Sequence, residues 1–255
     1  MKKITFIGSG NVASILSSKL KDKGFEIVEI WSKTETSARE LALKLDCNFT
    51  TNLNDLQPTD LIMIAVKDDF IKETVHLITN KETPIVHTSG CIGIDVFSNK
   101  KKYGVFYPLQ TFSKEIEMDF ENLPICIESN NPSLESDLIE IANSLTTSIH
   151  KLNSEQRKKL HIAAVFACNF SNHLLAISED IMKKNNLDFN LLKPLIENTF
   201  QKIKNNSPKD TQTGPAFRED KKVMEDHLKQ LKNHKEFQVM YSKISESIIN
   251  FKDDN

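Results

Sequence analysis

The sequence predicts an α/β fold with a doubly wound, mostly parallel sheet, followed by an all-α C-terminal domain. Three observations carry this. Short apolar runs alternate with helical patterns as far as Leu152. A glycine turn, "FIGSGNVASIL" (residues 6–16), joins the first run to the first helical pattern. After Asn153 strand-like runs stop and the remainder reads as helix.

The elements follow in order. Ile4–Gly8 reads as a strand and Asn11–Lys23 as a helix closed by Gly24. Phe25–Trp31 is a strand, and Ser37–Leu45 a helix with Ala38, Leu41, Ala42 and Leu45 on one face. Leu61–Val66 is a continuous apolar run, as expected of a strand covered on both faces. Asp68–Thr79 is helical, Ile85–His87 and Gly104–Tyr107 are strands, and Pro124–Glu128, Ser133–Leu145 and Ile149–Leu152 add a strand–helix–strand unit. Asn153 with Gln156 forms a capping box. From there to Lys184 no Gly or Pro intervenes, so one helix of about 45 Å is expected at 1.5 Å per residue. Further helices are expected over Asn190–Lys204, Phe217–Leu231 and Lys235–Phe251, with a loop at 205–220. The domains are therefore 1–152 and 153–255.

Composition excludes several classes. The chain has 255 residues, 39% apolar and 27% charged, with a formal net charge of −2, which calls for neither nucleic acid nor an anionic membrane. Ile4–Ile7 is too short for a signal h-region, and "LIMIAV" and "IAAVFACNF" fall far short of a membrane span. The four cysteines are scattered without a CxxC, as free thiols of a cytoplasmic protein would be. No His or carboxylate spacing matches a metal site.

The glycine turn has a chemical reading. In a strand–turn–helix context Gly8 permits the tight turn, Gly10 lets backbone approach a pyrophosphate, and Ala13 keeps the helix close to the sheet. The helix start offers free N–H groups to the phosphates. The predicted cofactor residues here are Gly8, Ser9, Gly10, Asn11, Val12 and Ala13. An NAD site usually places an acid at the end of the second strand. This chain has Ser32, Lys33 and Thr34, a cation between two hydroxyls, which suits the 2′-phosphate of NADP over NAD. Val66, Lys67 and Asp68 would line the ribose side, and Ser89 and Gly90 of "HTSGC" the nicotinamide side.

Four stretches resemble a known family: "YPLQTFSK" (107–114), "SEQRKKLHIAAVFACNFSNHL" (154–174), "LLKPLIENTFQKI" (191–203) and "QTGPAFREDKKVMEDHL" (212–228). It is the family in which a Rossmann-like domain precedes a helical domain of unknown function 2520. Its layout is similar to that of pyrroline-5-carboxylate reductase, prephenate dehydrogenase, and the 6-phosphogluconate and β-hydroxyacid dehydrogenases. The resemblance implies an NAD(P)-binding fold and a homodimer built on the helices, and supplies no substrate. The β-hydroxyacid dehydrogenases carry a catalytic Lys one turn before an Asn. Here the residues one turn before Asn169 and Asn172 are Val165 and Cys168, so chemistry of that kind is not expected.

Other residues offer themselves. At 100° per residue, Cys168 and Asn172 fall within about 20° of His161, and Asn169 flanks them. A polar stripe on an apolar helix needs partners. His161 could move a proton, Asn169 and Asn172 could hold a carbonyl, imine or carboxylate, and Ser89 completes the expected catalytic set. Thr213 and Arg218 in "TGPAFRED" would make an anion site at a helix start. The expectation is an NADP(H)-dependent oxidoreductase of a small metabolite, cytoplasmic and homodimeric. The alternative is a non-catalytic dinucleotide-binding sensor or scaffold.

Overall fold

A computed structural model describes residues 1–113 and 118–253. Lys114, the last residue of "YPLQTFSK", lies outside the described residues. The chain forms two compact units, Met1–Asn169 and Phe170–Asn255.

The first unit holds an eight-stranded sheet. Its strands are β1 (Lys3–Ile7), β2 (Glu26–Trp31), β3 (Asn48–Thr50), β4 (Leu61–Ile64), β5 (Ile85–His87), β6 (Tyr103–Pro108), β7 (Ile125–Ser129) and β8 (Ile149–Lys151), in the order β3-β2-β1-β4-β5-β6-β7-β8. Every pairing is parallel except β6 with β7. The helices are α1 (Asn11–Asp22), α2 (Glu35–Leu45), α3 (Asp68–Leu77), α4 (Pro132–Asn143) and α5 (Ser154–Ala164). This is the Rossmann-type arrangement the sequence predicts, with strand order reversing between β1 and β4.

Both sheet faces are covered. Ile4, Phe6, Leu61 and Met63 enter one apolar cluster; Ile7, Ile62 and Ile64 enter the other. That double burial explains why β1 and β4 read as unbroken apolar runs. Each such side chain contributes roughly 1.5–3 kcal/mol on burial. The short edge strand β3 has no counterpart in the sequence reading, because three residues with a half-exposed Phe49 give no apolar period.

α5 opens with the expected capping box: Asn153 accepts from the Gln156 N–H, and Gln156 accepts from the Asn153 N–H. The helix then continues from Ser154 to Lys184, but not as a regular α-helix. Val165–Phe170 is a π-turn, after which α6 runs from Ser171 to Lys184. By length and composition this 31-residue helix is apolar enough to cross a membrane, longer than the apolar stretches of the sequence suggested.

The second unit adds α7 (Lys193–Ile203), α8 (Lys221–Gln230) and α9 (Lys235–Asp253). α8 begins later than the sequence predicts. Glu219 adopts a left-handed φ of 56° and Asp220 a non-helical ψ of 78°, which breaks the turn at 215–219 away from the helix. Thr213 and Arg218 therefore precede the helix instead of opening it, and the anion site expected there is not formed by a helix N-terminus.

Candidate dinucleotide and proton-transfer site

The carboxyl ends of β2, β1 and β4 are in register, with Ile7 opposite Trp31 on one side and Ile64 on the other. The Gly8 N–H donates to the Trp31 carbonyl at 2.8 Å. Gly8 has φ +128°, and a Cβ there would sit 2.3 Å from the Ala65 carbonyl oxygen, so only glycine fits. Gly10 differs. Its φ is −71°, and a Cβ built on it meets nothing within 4 Å. The fold does not require glycine at this position, and the glycine keeps the approach to α1 open. α1 starts without a side-chain cap and without an acid in its first turn. Its leading N–H groups and positive end are thus available to an anion. Ala13 is fully buried against the sheet and Val12 half-buried beside it. Ser9 Oγ donates to Ser32 Oγ at 3.0 Å, and Asn11 Nδ2 donates to the Phe112 carbonyl at 2.8 Å. These residues fit a dinucleotide.

At the end of β2, Ser32 is buried and its N–H donates to the Thr50 carbonyl. Thr34 Oγ1 donates to Ser37 Oγ at 2.9 Å. Lys33 lies exposed, its Nζ 5.6 Å from the centroid of the Phe70 ring. Two acids lie near this strand end in sequence, and both have partners within the protein. Glu29 is buried in the strand, accepts from the Gln57 N–H, and has its carboxyl pushed upward by burial. Glu35 pairs with Arg39 at 2.6 Å.

Beyond β4, Val66 packs on the second apolar cluster, Lys67 precedes α3 in extended conformation, and Asp68 opens that helix. Beyond β5, Ser89 is built into a turn. Its N–H donates to His87 Nδ1 at 3.1 Å, and its Oγ accepts from the N–H groups of Cys91 (3.0 Å) and Ile92 (3.1 Å). With both lone pairs used, the Ser89 hydroxyl has only its proton to give. The Ser89 carbonyl accepts from Arg157 Nε at 3.2 Å. Arg157 is 1% exposed, pairs with Glu128, and donates to the Ile92 carbonyl. It fastens the first turns of α5 to the loop after β5.

One turn further along α5, His161 Nδ1 lies 3.1 Å from the hydroxyl of Tyr107. Tyr107 sits near the carboxyl end of β6, beside β5. Gly90 is what allows the contact: a Cβ at Gly90 would lie 2.6 Å from His161 Nδ1 and 2.8 Å from Tyr107 Cζ. Burial pushes the Tyr107 phenol up to about 12, so it is a neutral hydroxyl at physiological pH.

The structure thus gathers Gly8–Ala13, Ser32 and Val66 around the end of β1, and brings His161 to the loop that holds Ser89. Asn169 lies in the π-turn, and Asn172 belongs to α6 of the second unit. A π-turn rotates less per residue than an α-helix, so the 100° arithmetic does not carry from His161 to Asn172. Sequence reasoning passed over Tyr107 and Arg157, although both stand in the motif stretches. Arg157 precedes His161 by four residues and so shares its helix face. Among the described residues no His, Cys, Asp or Glu group could hold a metal ion.

Fold and site together define a dinucleotide-binding protein of the oxidoreductase type. Residues 3–89 match the family described as NADP oxidoreductase coenzyme F420-dependent, and residues 123–248 match the domain of unknown function DUF2520. A candidate NADP oxidoreductase from Bacteroides fragilis is 41% identical, with 98% of each chain covered and a TM-score of 0.90. The chain belongs to the family that joins an NADP-binding Rossmann domain to a C-terminal DUF2520 domain. Two more distant structures share the fold. The 1-pyrroline-5-carboxylate reductase of Streptococcus pyogenes is 13% identical, covering 97% of this chain and 98% of its own, with a TM-score of 0.64. An imine reductase from Myxococcus stipitatus in complex with NADP+ is 13% identical, covering 97% and 92%, with a TM-score of 0.65. A curated relative, glucose-fructose oxidoreductase domain-containing protein 2 of Xenopus tropicalis, is 28% identical over 109 residues; the match spans 41% of this chain and 28% of the relative.

Proposed function

We propose that the protein is an NADP(H)-dependent oxidoreductase acting on a small metabolite. The observation that carries the reading is the open approach at Gly10 to an uncapped α1, beside a strand end that offers Lys33 and hydroxyls instead of an acid. When bound, the cofactor supplies hydride chemistry at its nicotinamide. Gly10, Asn11 and the first N–H groups of α1 hold the pyrophosphate. Ser32, Lys33 and Thr34 hold the 2′-phosphate, and Val66, Lys67 and Asp68 flank the ribose.

The remaining residues manage the substrate and its proton. Tyr107 presents a neutral hydroxyl that would donate its proton to the heteroatom of the reacting group, and His161 would return a proton to the phenolate through Nδ1 as Nε2 takes one from water. Ser89 donates a second hydrogen bond, and Asn169 orients the substrate. The polar Tyr107–His161 pair favours catalysis over a sensor or scaffold, which has no use for a poised proton donor.

The large apolar side chains Leu187, Leu191, Leu195, Phe200 and Val239 are exposed in the isolated chain, and a second copy covering them makes a homodimer. The same association, in place of lipid, accounts for the apolar surface of the long helix, whose first turns are fastened to the sheet by Arg157. Four free thiols fit the cytoplasm. The test is NADPH consumption across a panel of small ketones, 2-oxo acids and cyclic imines. Turnover of one class that is lost in Tyr107→Phe supports the reading; NADPH binding with no turnover of any class favours the sensor.

A further inference from the structure

We propose that Phe70 sets cofactor specificity by holding the Lys33 ammonium on its ring face, ready for a 2′-phosphate. The proposal rests on the NADP(H) reading above. β2 and β4 flank β1 on opposite sides in the sheet. Lys33 follows the end of β2, and Phe70 lies in the first turn of α3, just beyond β4. Their contact, Nζ 5.6 Å from the ring centroid, therefore reaches across the glycine turn from one flank to the other.

Phe70 has little packing duty. The residue is 45% exposed, while Ile71, Thr74 and Val75 of the same helix supply the buried face. The Phe70 N–H donates to the Lys67 carbonyl at 2.9 Å, which fixes the backbone under the ring in the opening turn of α3. A phenyl group on such a turn is a rigid platform with two rotors. Lysine has four, and loses much of that freedom when it grips an anion. A ring that has already ordered the lysine lowers this loss.

The identity of the partner matters as much as its position. Among the described residues Lys33 makes no ion pair, although Glu35, Asp68 and Asp69 are near it in sequence or on α3. A lysine locked to a carboxylate must break that pair to serve a phosphate. A lysine resting on a ring keeps its whole charge for the incoming anion. The hydroxyls of Ser32 and Ser37, which accept hydrogen bonds from Ser9 and Thr34 respectively, keep their own protons to give. NADH lacks the phosphate, so the Phe70 contribution is specific to NADPH.

Calorimetric titration with NADPH and with NADH tests this on the full chain. Phe70→Ala and Phe70→Leu are expected to weaken NADPH about two- to fivefold and to leave NADH unchanged. Phe70→Trp, which keeps a ring face, retains NADPH affinity. In a Lys33→Ala background, Phe70→Ala has no further effect on NADPH. Equal weakening of both cofactors by Phe70→Ala would overturn the proposal, because the ring would then serve the shared adenosine half. Additive losses in the double variant would overturn it too. Failure of the wild type to prefer NADPH overturns the NADP(H) reading itself, and is seen before any variant is made.

Discussion

Tyr107 and His161 meet at 3.1 Å beside Gly90, where a Cβ would lie within 3 Å of both rings. One comes from a sheet strand and the other from the long helix, so the pair exists only when α5 is seated on the sheet. Replacing Tyr107 with Phe keeps the ring packing and removes the proton. NADPH affinity should be unchanged, while turnover on whichever carbonyl or imine proves active should fall by about 10²–10⁴-fold, the usual worth of a placed proton donor. A large change in cofactor affinity would mean that Tyr107 belongs to the binding site instead.

Gly90→Ala should act through the same pair. Its methyl would press into the imidazole and phenol at less than 3 Å, where two packed rings cannot yield easily. A stability loss of about 1–3 kcal/mol is expected, with the His161–Tyr107 contact broken. Denaturant melts with NMR of the His161 ring check both parts.

The two glycines of the turn should behave differently. Gly8→Ala forces a Cβ into the Ala65 carbonyl at a φ of +128° and should unfold or badly destabilise the sheet unit. A Cβ at Gly10 meets no heavy atom within 4 Å, so Gly10→Val should fold normally, yet bind no dinucleotide. Circular dichroism separates the two cases, and loss of fold in Gly10→Val would count against the pyrophosphate role.

Arg157 is buried with Glu128, and its other donors serve the Ser89 and Ile92 carbonyls. Arg157→Ala leaves a carboxylate without its counter-ion and two carbonyls without donors. Removing one partner of such a pair typically costs about 3–5 kcal/mol. Urea melts of Arg157→Ala should show a loss of that size; a loss under about 1 kcal/mol would show that water replaces the guanidinium.

His87 makes the fold acid-sensitive. It is fully buried and stacked on Phe97, and burial, with Arg157 nearby, pushes its imidazole down to about 3. In the unfolded chain it titrates near 6.5. The unfolded state therefore binds more protons between these values, and stability falls as pH drops from about 6.5 toward 3, by roughly 1.4 kcal/mol per unit. His87→Asn keeps an acceptor for the Ser89 N–H and should flatten this slope. An unchanged slope would assign the acid sensitivity to other groups.

Much of this was legible in residues. The apolar runs of β1 and β4 and the Asn153–Gln156 capping box speak directly, since each is a local pattern with one structural meaning. Gly8 and Gly10 already have different places in the motif, one at the tight turn and one at the open approach, and the Ala65 carbonyl supplies the physical reason that Gly8 admits no side chain. The Tyr107–His161 pair was not legible, because its members stand 54 residues apart and meet only through tertiary packing. The π-turn at Val165–Phe170 was not legible either, since its apolar residues suit an α-helix as well. It broke the phase argument for Asn172. The antiparallel turn of β7 depends on a chain path that strand periodicity does not encode.

The glycine turn and the Ser32–Thr34 strand end together are expected to bind NADP(H). Titrating the wild-type protein with NADPH and NADH in a calorimeter, at low salt, tests it most directly. NADPH should bind about tenfold to a hundredfold more tightly than NADH, the worth of one charge-assisted contact, and Lys33→Ala should remove most of the difference. Binding of neither cofactor at about millimolar concentration, or equal affinities unchanged by Lys33→Ala, would contradict it.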